Sequence, residues 1–307
     1  MDQRPVIWII TDGKAGHESQ SIGLANALDR LAGPFAMESH AASVAKRRAW
    51  GPVRNLDPKP MIVIGAGSGT HTALLSCKQR LGARAVVLMN PGVWLRRWVD
   101  LVIAPEHDGL RQRGNVVCTR GALTPVRPNE RKDPSSGLLL IGGPSSHHGW
   151  DNDAMIGQIR AIVERTPSTR WTLTTSRRTP TTFLPSLERA GIDASRLDVW
   201  PVERTSREWL LARYDESATI WVSEDSVSMV YEALTSGANV GLLRVPRIGK
   251  GSRVVRGVEA LASSGFATRF EEWERAGALS PPPEQLDEAT RVARIVIERF
   301  GLKGASS

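Results

Sequence analysis

Ala218-Thr-Ile-Trp-Val222, followed by Ser223-Glu-Asp-Ser-Val-Ser-Met-Val-Tyr-Glu-Ala-Leu-Thr-Ser-Gly237, is the stretch on which the fold turns. Its first five residues form a buried apolar strand. Met229, Val230, Ala233 and Leu234 then recur at helical spacing. Gly237 stops the helix, and Val240-Gly-Leu-Leu243 begins another strand. Asp225, Ser226 and Ser228 thus fall near a helix N-terminus, where unpaired N–H groups and the positive end of the helix dipole favour an anion such as a phosphate. Glu232 lies about one turn beyond Ser228 on the same face, where a carboxylate can accept hydrogen bonds from a ribose diol. An Asp/Ser helix cap with a solvated Glu accounts for the same residues.

Working outward, short apolar runs alternate with helical segments along the whole chain. Strands are predicted at Val6–Ile10, Met61–Ile64, Ala85–Met89, Leu101–Ala104 and Val116–Thr119, with helices over Gln20–Leu31 and Thr72–Leu81. The stretch Thr124–Ser136, rich in Pro and charge, interrupts the alternation and reads as a linker. The pattern then restarts with strands Leu138–Ile141, Trp171–Thr174 and Asp198–Trp200, and helices Ala154–Arg165, Phe183–Ala190, Val254–Ser263 and Glu284–Phe300. Uninterrupted apolar strands separated by helices indicate a parallel sheet covered on both faces. The fold class is α/β, with two facing Rossmann-like domains and mostly parallel sheets. The expected division is 1–124 for a first Rossmann-like domain, 125–136 for a linker, 137–283 for a second domain, and 284–307 for a terminal helix. Ligands of such sheets bind beyond the carboxyl ends of the strands, and facing domains would enclose a cleft.

The 307 residues carry a formal charge of +8, from 40 Lys and Arg against 32 Asp and Glu. That balance suits phosphorylated substrates or an anionic membrane surface. The basic residues are scattered, with neither a long run nor an aromatic-basic motif, so no specific nucleic-acid binding is expected. Cys77 and Cys118 belong to no metal or disulfide pattern. Every apolar run, Val6–Ile10 included, is too short for a signal core or a membrane span. A cytoplasmic protein is expected, able to touch the inner face of the membrane.

The polar motifs all follow predicted strands. Thr11–Gln20 holds Asp12, Gly13, Lys14, Gly16, His17 and Glu18. His17, near a helix start, could act as general base with Asp12 or Glu18 orienting it; a capping loop with a solvated His fits equally. Gly65–His71, with Gly67 and Ser68, lacks the full dinucleotide fingerprint and could bind phosphate or substrate through backbone N–H groups, or be a tight turn. Asn90-Pro-Gly92 and Ala104–Asp108 could line the same side. Ile141–Trp150 offers Gly142, Gly143, Ser145 and Ser146 to a diphosphate; adjacent His147 and His148 are poorly spaced for a metal, and none is expected. In Thr174–Pro180, Ser176, Arg177 and Arg178 could neutralise a leaving phosphate or be surface residues. Arg244–Arg253 could hold an anion or be a mobile basic loop.

Asp12-Gly-Lys-Ala-Gly-His-Glu-Ser-Gln20, Ile141-Gly-Gly-Pro-Ser145, Thr175-Ser-Arg-Arg-Thr-Pro180 and Asp225-Ser-Val-Ser-Met-Val-Tyr-Glu-Ala233, in this order, resemble the ELM family, bacterial relatives of plant mitochondrial-fission proteins. The resemblance spans nearly the whole chain and implies a GT-B glycosyltransferase fold, with 1–124 on the acceptor side, 137–283 binding the nucleotide sugar, and the terminal helix of 284–307 crossing back to the first domain. It implies a nucleotide-diphospho-sugar as co-substrate, with no other cofactor. Ser226–Gly237 is also similar to the donor-binding region of the bacterial GlcNAc transferase of peptidoglycan synthesis, which implies a ribose contact for Glu232. The Pro usual after the helix-ending glycine is absent, since Gly237-Ala-Asn-Val-Gly241 stands there. Metal-independent sugar transfer to an envelope or lipid-linked acceptor is the expected activity. The alternatives are a non-catalytic adaptor of the same fold, or a nucleotide-sugar hydrolase or epimerase.

Overall fold

The computed structural model describes residues 4–50, 59–249 and 253–302. Lys250–Ser252 of the Arg244–Arg253 motif lie outside the described residues. The chain divides into two units, Met1–Pro125 with Asp287–Ser307, and Val126–Leu286.

The first unit runs β1 (Val6–Thr11), α1 (Ala15–Ala32), β2 (Ala36–Ala41), α2 (Ala42–Trp50), β3 (Pro60–Ala66), α3 (His71–Leu81), β4 (Arg84–Leu88), α4 (Val93–Arg96), β5 (Leu101–Pro105) and β6 (Val116–Thr119). Its strands form one parallel sheet in the order β2-β1-β3-β4-β5-β6. The unbroken apolar run of β1 follows from burial on both faces. Ile7 and Ile9 enter one core with Leu24 and Leu28, while Val6, Trp8 and Ile10 enter another with Ala73, Leu74 and Cys77. At the sheet edge β2 alternates half-buried and exposed residues, so Ala36-Met-Glu-Ser-His-Ala41 lacks the apolar run that marks the other strands.

The second unit runs β7 (Asp133–Leu140), α5 (Asn152–Arg165), β8 (Arg170–Thr174), α6 (Phe183–Arg189), β9 (Leu197–Trp200), α7 (Arg207–Glu216), β10 (Ser217–Ser223), α8 (Val227–Thr235), β11 (Asn239–Leu243), α9 (Arg253–Ser263), β12 (Thr268–Arg269) and α10 (Phe270–Ala276). Its parallel sheet has the order β12-β11-β10-β7-β8-β9. Here β7 begins at Asp133, inside the stretch read as a linker. Two large-to-small pairs fix this sheet. Trp221 lies beside Gly241 on the next strand and Trp171 beside Gly137, and a Cβ on either glycine would run into the indole. Trp221 further meets Phe270 and Trp273 of α10 edge-on, at centroid distances of 5.9 and 5.2 Å.

The last helix, α11 (Glu288–Phe300), belongs to the first unit. Asp287 caps it by accepting from the Thr290 N–H at 3.1 Å, which starts it four residues later than its predicted start at Glu284. Its Ala289, Val292, Ala293 and Val296 complete the core beside α1. Polar ties fix its register: Arg30 donates to Thr290 Oγ1 at 3.0 Å, the Arg120 N–H donates to Glu288 at 3.0 Å, and Arg291 donates to the Cys118 carbonyl at 2.7 Å. Both cysteines are free thiols, and burial pushes Cys77 up to about 11.

Val296 is fully buried in that seam. Val296→Ala is expected to cost about 2 kcal/mol in urea unfolding of the whole chain. A change below about 0.5 kcal/mol would mean that the α11 seam is not a packed core.

Candidate functional site

In each sheet the strand order reverses once, between β1 and β3 in the first unit and between β7 and β10 in the second. At such a reversal the connections on either side leave in opposite directions and open a crevice beyond the strand ends. Thr11–Gln20 and Gly65–His71 stand at the first of these reversals, and Ile141–Trp150 and the connection from β10 to α8 at the second.

At the first, the chain leaves β1 through Asp12 and enters α1 with His17 in its opening turn. Thr11 Oγ1 accepts from the Gly13 N–H at 3.0 Å, and Asp12 Oδ1 from the Lys14 N–H at 3.2 Å. These bonds turn the Asp12 carboxylate towards the His17 ring, whose Nδ1 stands 3.0 and 3.1 Å from its two oxygens. Partial burial raises the carboxyl's pKa, but the bonds from His17 and from the Lys14 N–H outweigh it and hold Asp12 below its ordinary value. An Nδ1–H donated to a carboxylate leaves Nε2 as the lone-pair nitrogen of a neutral ring. Asp12 rather than Glu18 therefore orients His17. Gly67, just beyond β3, closes the constellation. Its φ is +80°, and a Cβ there would lie 2.5 Å from His17 Nδ1 and 3.0 Å from Asp12 Oδ2.

Other residues of this side are placed separately. Gly13, Lys14, Gly16 and Ser68 are exposed around the two turns. Asn90, beyond β4, spends its side chain on a turn: Oδ1 accepts from the Gly92 N–H at 3.1 Å, and Nδ2 donates to the Asp108 carbonyl at 3.4 Å. Met89 before it has a φ of 71°, a left-handed conformation that costs a bulky residue about 1 kcal/mol and that nothing in the sequence signals.

At the second reversal, Gly142 and Gly143 follow β7, Ser223 ends β10, and Glu224 and Asp225 follow it. The Gly142 N–H donates to Ser223 Oγ at 2.7 Å and the Gly143 N–H to Asp225 Oδ2 at 3.0 Å. Arg178 donates to the same oxygen at 2.8 Å and to the carbonyls of Gly143 and Pro144 at 3.0 and 3.2 Å. A Cβ on Gly142 would overlap the Asp225 carboxylate, and one on Gly143 the Arg178 carbonyl. Asp225 and Arg178, expected at a phosphate, are thus bound to each other and to the glycine loop. Ser145 accepts from the N–H groups of His147 and His148 at 3.2 and 3.1 Å, and Ser176 from that of Arg178 at 3.2 Å, so both shape turns. Ser146 and Ser228 are exposed. Ser226 precedes α8 without capping it through its side chain. Arg177 is exposed and makes no ion pair among the described residues. His148 is buried, and burial is the main cause holding its imidazole below its ordinary pKa, against the carboxylates of Asp225 and Glu224.

Glu232 is buried within α8, not solvated. Its Oε1 accepts from Arg207 at 3.2 Å and its Oε2 from the Tyr214 hydroxyl at 3.1 Å. Burial first, and then the Glu232 charge, raise the Tyr214 pKa well above its ordinary value. Arg207 and Tyr214 lie on α7, which the sequence reading did not anticipate. Their signal was Ser206, a helix cap that accepts from the Trp209 N–H at 3.2 Å. Beside the second reversal lies a cavity of about 460 Å³ bordered by Asp151, Glu224, Arg244, Arg247, Arg269 and Glu271. Glu224 is held there by the Val245 N–H at 3.2 Å and by Arg247 at 3.1 Å. Gly142, Ser226 and Glu232 do not border this cavity. Among the described residues no group of three or more His, Cys, Asp or Glu is placed to hold a metal ion.

Two parallel α/β units, each carrying its glycine loops at a strand-order reversal, define a GT-B-like protein. Solved structures share this fold at low identity. The Methanocaldococcus jannaschii UDP-GlcNAc 2-epimerase superimposes with a TM-score of 0.59 at 12% identity, over 95% of this chain and 99% of that one. The S. aureus MnaA–UDP co-structure gives 0.58 at 13% identity, over 97% of each chain. The glycotransferase of kitacinnamycin gives 0.52 at 12% identity, over 97% and 100%. The chain belongs to the mitochondrial fission ELM1 family, whose sequence pattern matches residues 15–300. No curated protein matches it.

Asp12 contributes stability that is present above its unfolded value of 3.8 and is lost as pH falls through the lower folded value. Asp12→Asn is expected to remove this part of the acid sensitivity in thermal unfolding between about pH 4 and 2. Coincident acid limbs for the two proteins would mean that the pair with His17 does not form. Separately, Gly67→Ala is expected to displace the His17 ring, read as a change in its imidazole NMR signals. Unchanged signals would disprove the close approach of the two loops.

Proposed function

We propose that the protein binds a nucleotide-diphospho-sugar on its second unit and transfers the sugar to an acceptor hydroxyl. The observation that carries this is the His17–Asp12 pair at the first reversal, where a carboxylate fixes the imidazole with Nε2 as its basic nitrogen. In the proposed step the acceptor oxygen attacks the anomeric carbon and its proton passes to His17 Nε2. The bond from that carbon to the diphosphate oxygen breaks, and the nucleoside diphosphate leaves with the electron pair. On the second unit, Ser226 and Ser228 at the start of α8 and the turn Gly142–Ser146 are assigned to the diphosphate. Arg178 is committed to Asp225, so Arg177 is the guanidinium assigned to the departing charge. Glu232, held by Arg207 and Tyr214, is assigned to the ribose. An envelope or lipid-linked glycan is the acceptor class proposed.

A second reading, epimerisation or hydrolysis of a nucleotide sugar, is favoured by the epimerases among the structures of similar fold. It differs in its product, since a free sugar or an epimer would form with no acceptor added.

Calorimetric titration with UDP, GDP, CDP and ADP tests the common ground of both. One nucleotide is expected to bind, and Arg177→Ala to weaken it about tenfold or more while leaving thermal unfolding unchanged, because the side chain is exposed. Glu232→Ala is expected to weaken it too, with some loss of stability as Arg207 and Tyr214 lose their partner. If the folded protein binds none of the four, a non-catalytic adaptor replaces both enzymatic readings.

A further inference from the structure

We propose that Val93–Trp98, with the arginines around it, docks the first unit onto the surface of an anionic phospholipid bilayer. This inference stands apart from sugar transfer and does not rest on it. Six large apolar side chains are exposed among the described residues, and three of them, Val93, Trp94 and Trp98, fall in this one segment, 63%, 81% and 60% exposed. Their outward setting is fixed. Leu95 and Val99, which alternate with them, turn into the core beside Cys77 and Val102. The Asn115 side chain then clamps the segment by donating to the carbonyls of Arg96 at 2.7 Å and Val99 at 2.9 Å.

The same clamp brings a basic rim to the apolar residues. Arg97, Arg111 and Arg113 are exposed, and Arg299 reaches the loop by donating to the Gly114 carbonyl at 2.8 Å. Of the nearby carboxylates, Asp100 and Asp108 are hydrogen-bonded, and Glu106 is exposed on the same connection as Arg111 and Arg113. Asp100 accepts from Lys78 at 2.9 Å and from the Ala85 N–H at 2.8 Å, and Asp108 accepts from the Asn90 N–H at 3.3 Å. The surface therefore offers tryptophan and arginine together, the composition of protein surfaces at a membrane interface. Three apolar side chains are too few for the core of a stable protein–protein interface of about 1,600 Å². Shallow insertion of a few aromatic rings, with arginines drawn to an anionic surface, is enough for reversible attachment. No helix among the described residues is long and apolar enough to cross a membrane, so the contact proposed is peripheral.

Cosedimentation of the full chain with vesicles tests this. Binding is expected to phosphatidylglycerol-containing vesicles and not to neutral phosphatidylcholine, and it should be lost at about 0.5 M salt. The double variants Trp94→Ser/Trp98→Ser and Arg97→Glu/Arg113→Glu should each lower it about tenfold or more, with thermal unfolding unchanged. Three results would overturn the proposal: no binding to anionic vesicles, equal binding by the variants, or a concentration-dependent dimer that the tryptophan variant abolishes. The last would assign the patch to a second copy of the chain.

Discussion

The Asp225 carboxylate is enclosed by the chain it organises. Gly143 and Arg178 both donate to its Oδ2, while Oδ1 is buried without a hydrogen-bond partner among the described residues. An unsatisfied buried oxygen is costly, and the charge-assisted bond to Arg178 offsets that cost. Three strand ends meet on this one side chain: the glycine loop after β7, the Arg178 turn after β8, and the start of the β10–α8 connection. Arg178 also occupies the carbonyls of Gly143 and Pro144. The Gly142 and Gly143 N–H groups and the Gly143 and Pro144 carbonyls are thus held from within the unit. Beside that frame Ser226 opens α8, and Ser228 and Arg177 are exposed.

The first unit uses a related arrangement with a different outcome. At each reversal a carboxylate on one side of the crevice faces glycines on the other, Asp12 against Gly67 and Gly69, and Asp225 against Gly142. Where the carboxylate is closed in, it holds an arginine and serves the fold. Where it keeps some contact with solvent, it holds an imidazole whose second nitrogen has a basic lone pair. The same pairing of residue types thus yields a strut in one unit and a candidate base in the other, and the degree of enclosure makes the difference.

The sheets were legible because parallel strands buried on both faces are apolar over their buried stretch, as β1 and β3 are, and as Leu138–Leu140 of β7 and Ile220–Val222 of β10 are. Edge elements were not. In β2 only alternate residues touch the core, and β12 is two residues long. In α7, Tyr214 is the one fully buried side chain, so its apolar face is too narrow to show as periodicity. The candidate site was legible as loops and not as partners. Spacing placed Asp12 near His17, but it could not choose between Asp12 and Glu18, because that choice depends on how the Thr11–Lys14 turn aims the carboxylate. It likewise gave Arg177 and Arg178 equal standing, although one reaches inward to Asp225 and the other lies in solvent. Glu232 could be read as a ribose contact or as a solvated side chain, and its burial was hidden because its partners, Arg207 and Tyr214, sit in a helix whose pattern is weak.

The return of α11 to the first unit has a consequence for the order of events during synthesis. Residues Val126–Leu286 form a continuous stretch and contain all of the second sheet. The first unit, although it leads the chain, lacks the wall made by Ala289, Val292, Ala293 and Val296 until those residues have left the ribosome. Domains generally fold as units while the chain is made, the N-terminal one first. Here the unit begun before the other is completed after it. The apolar face of α1 that α11 later covers is open to other chains until Val126–Leu286 and α11 have been made.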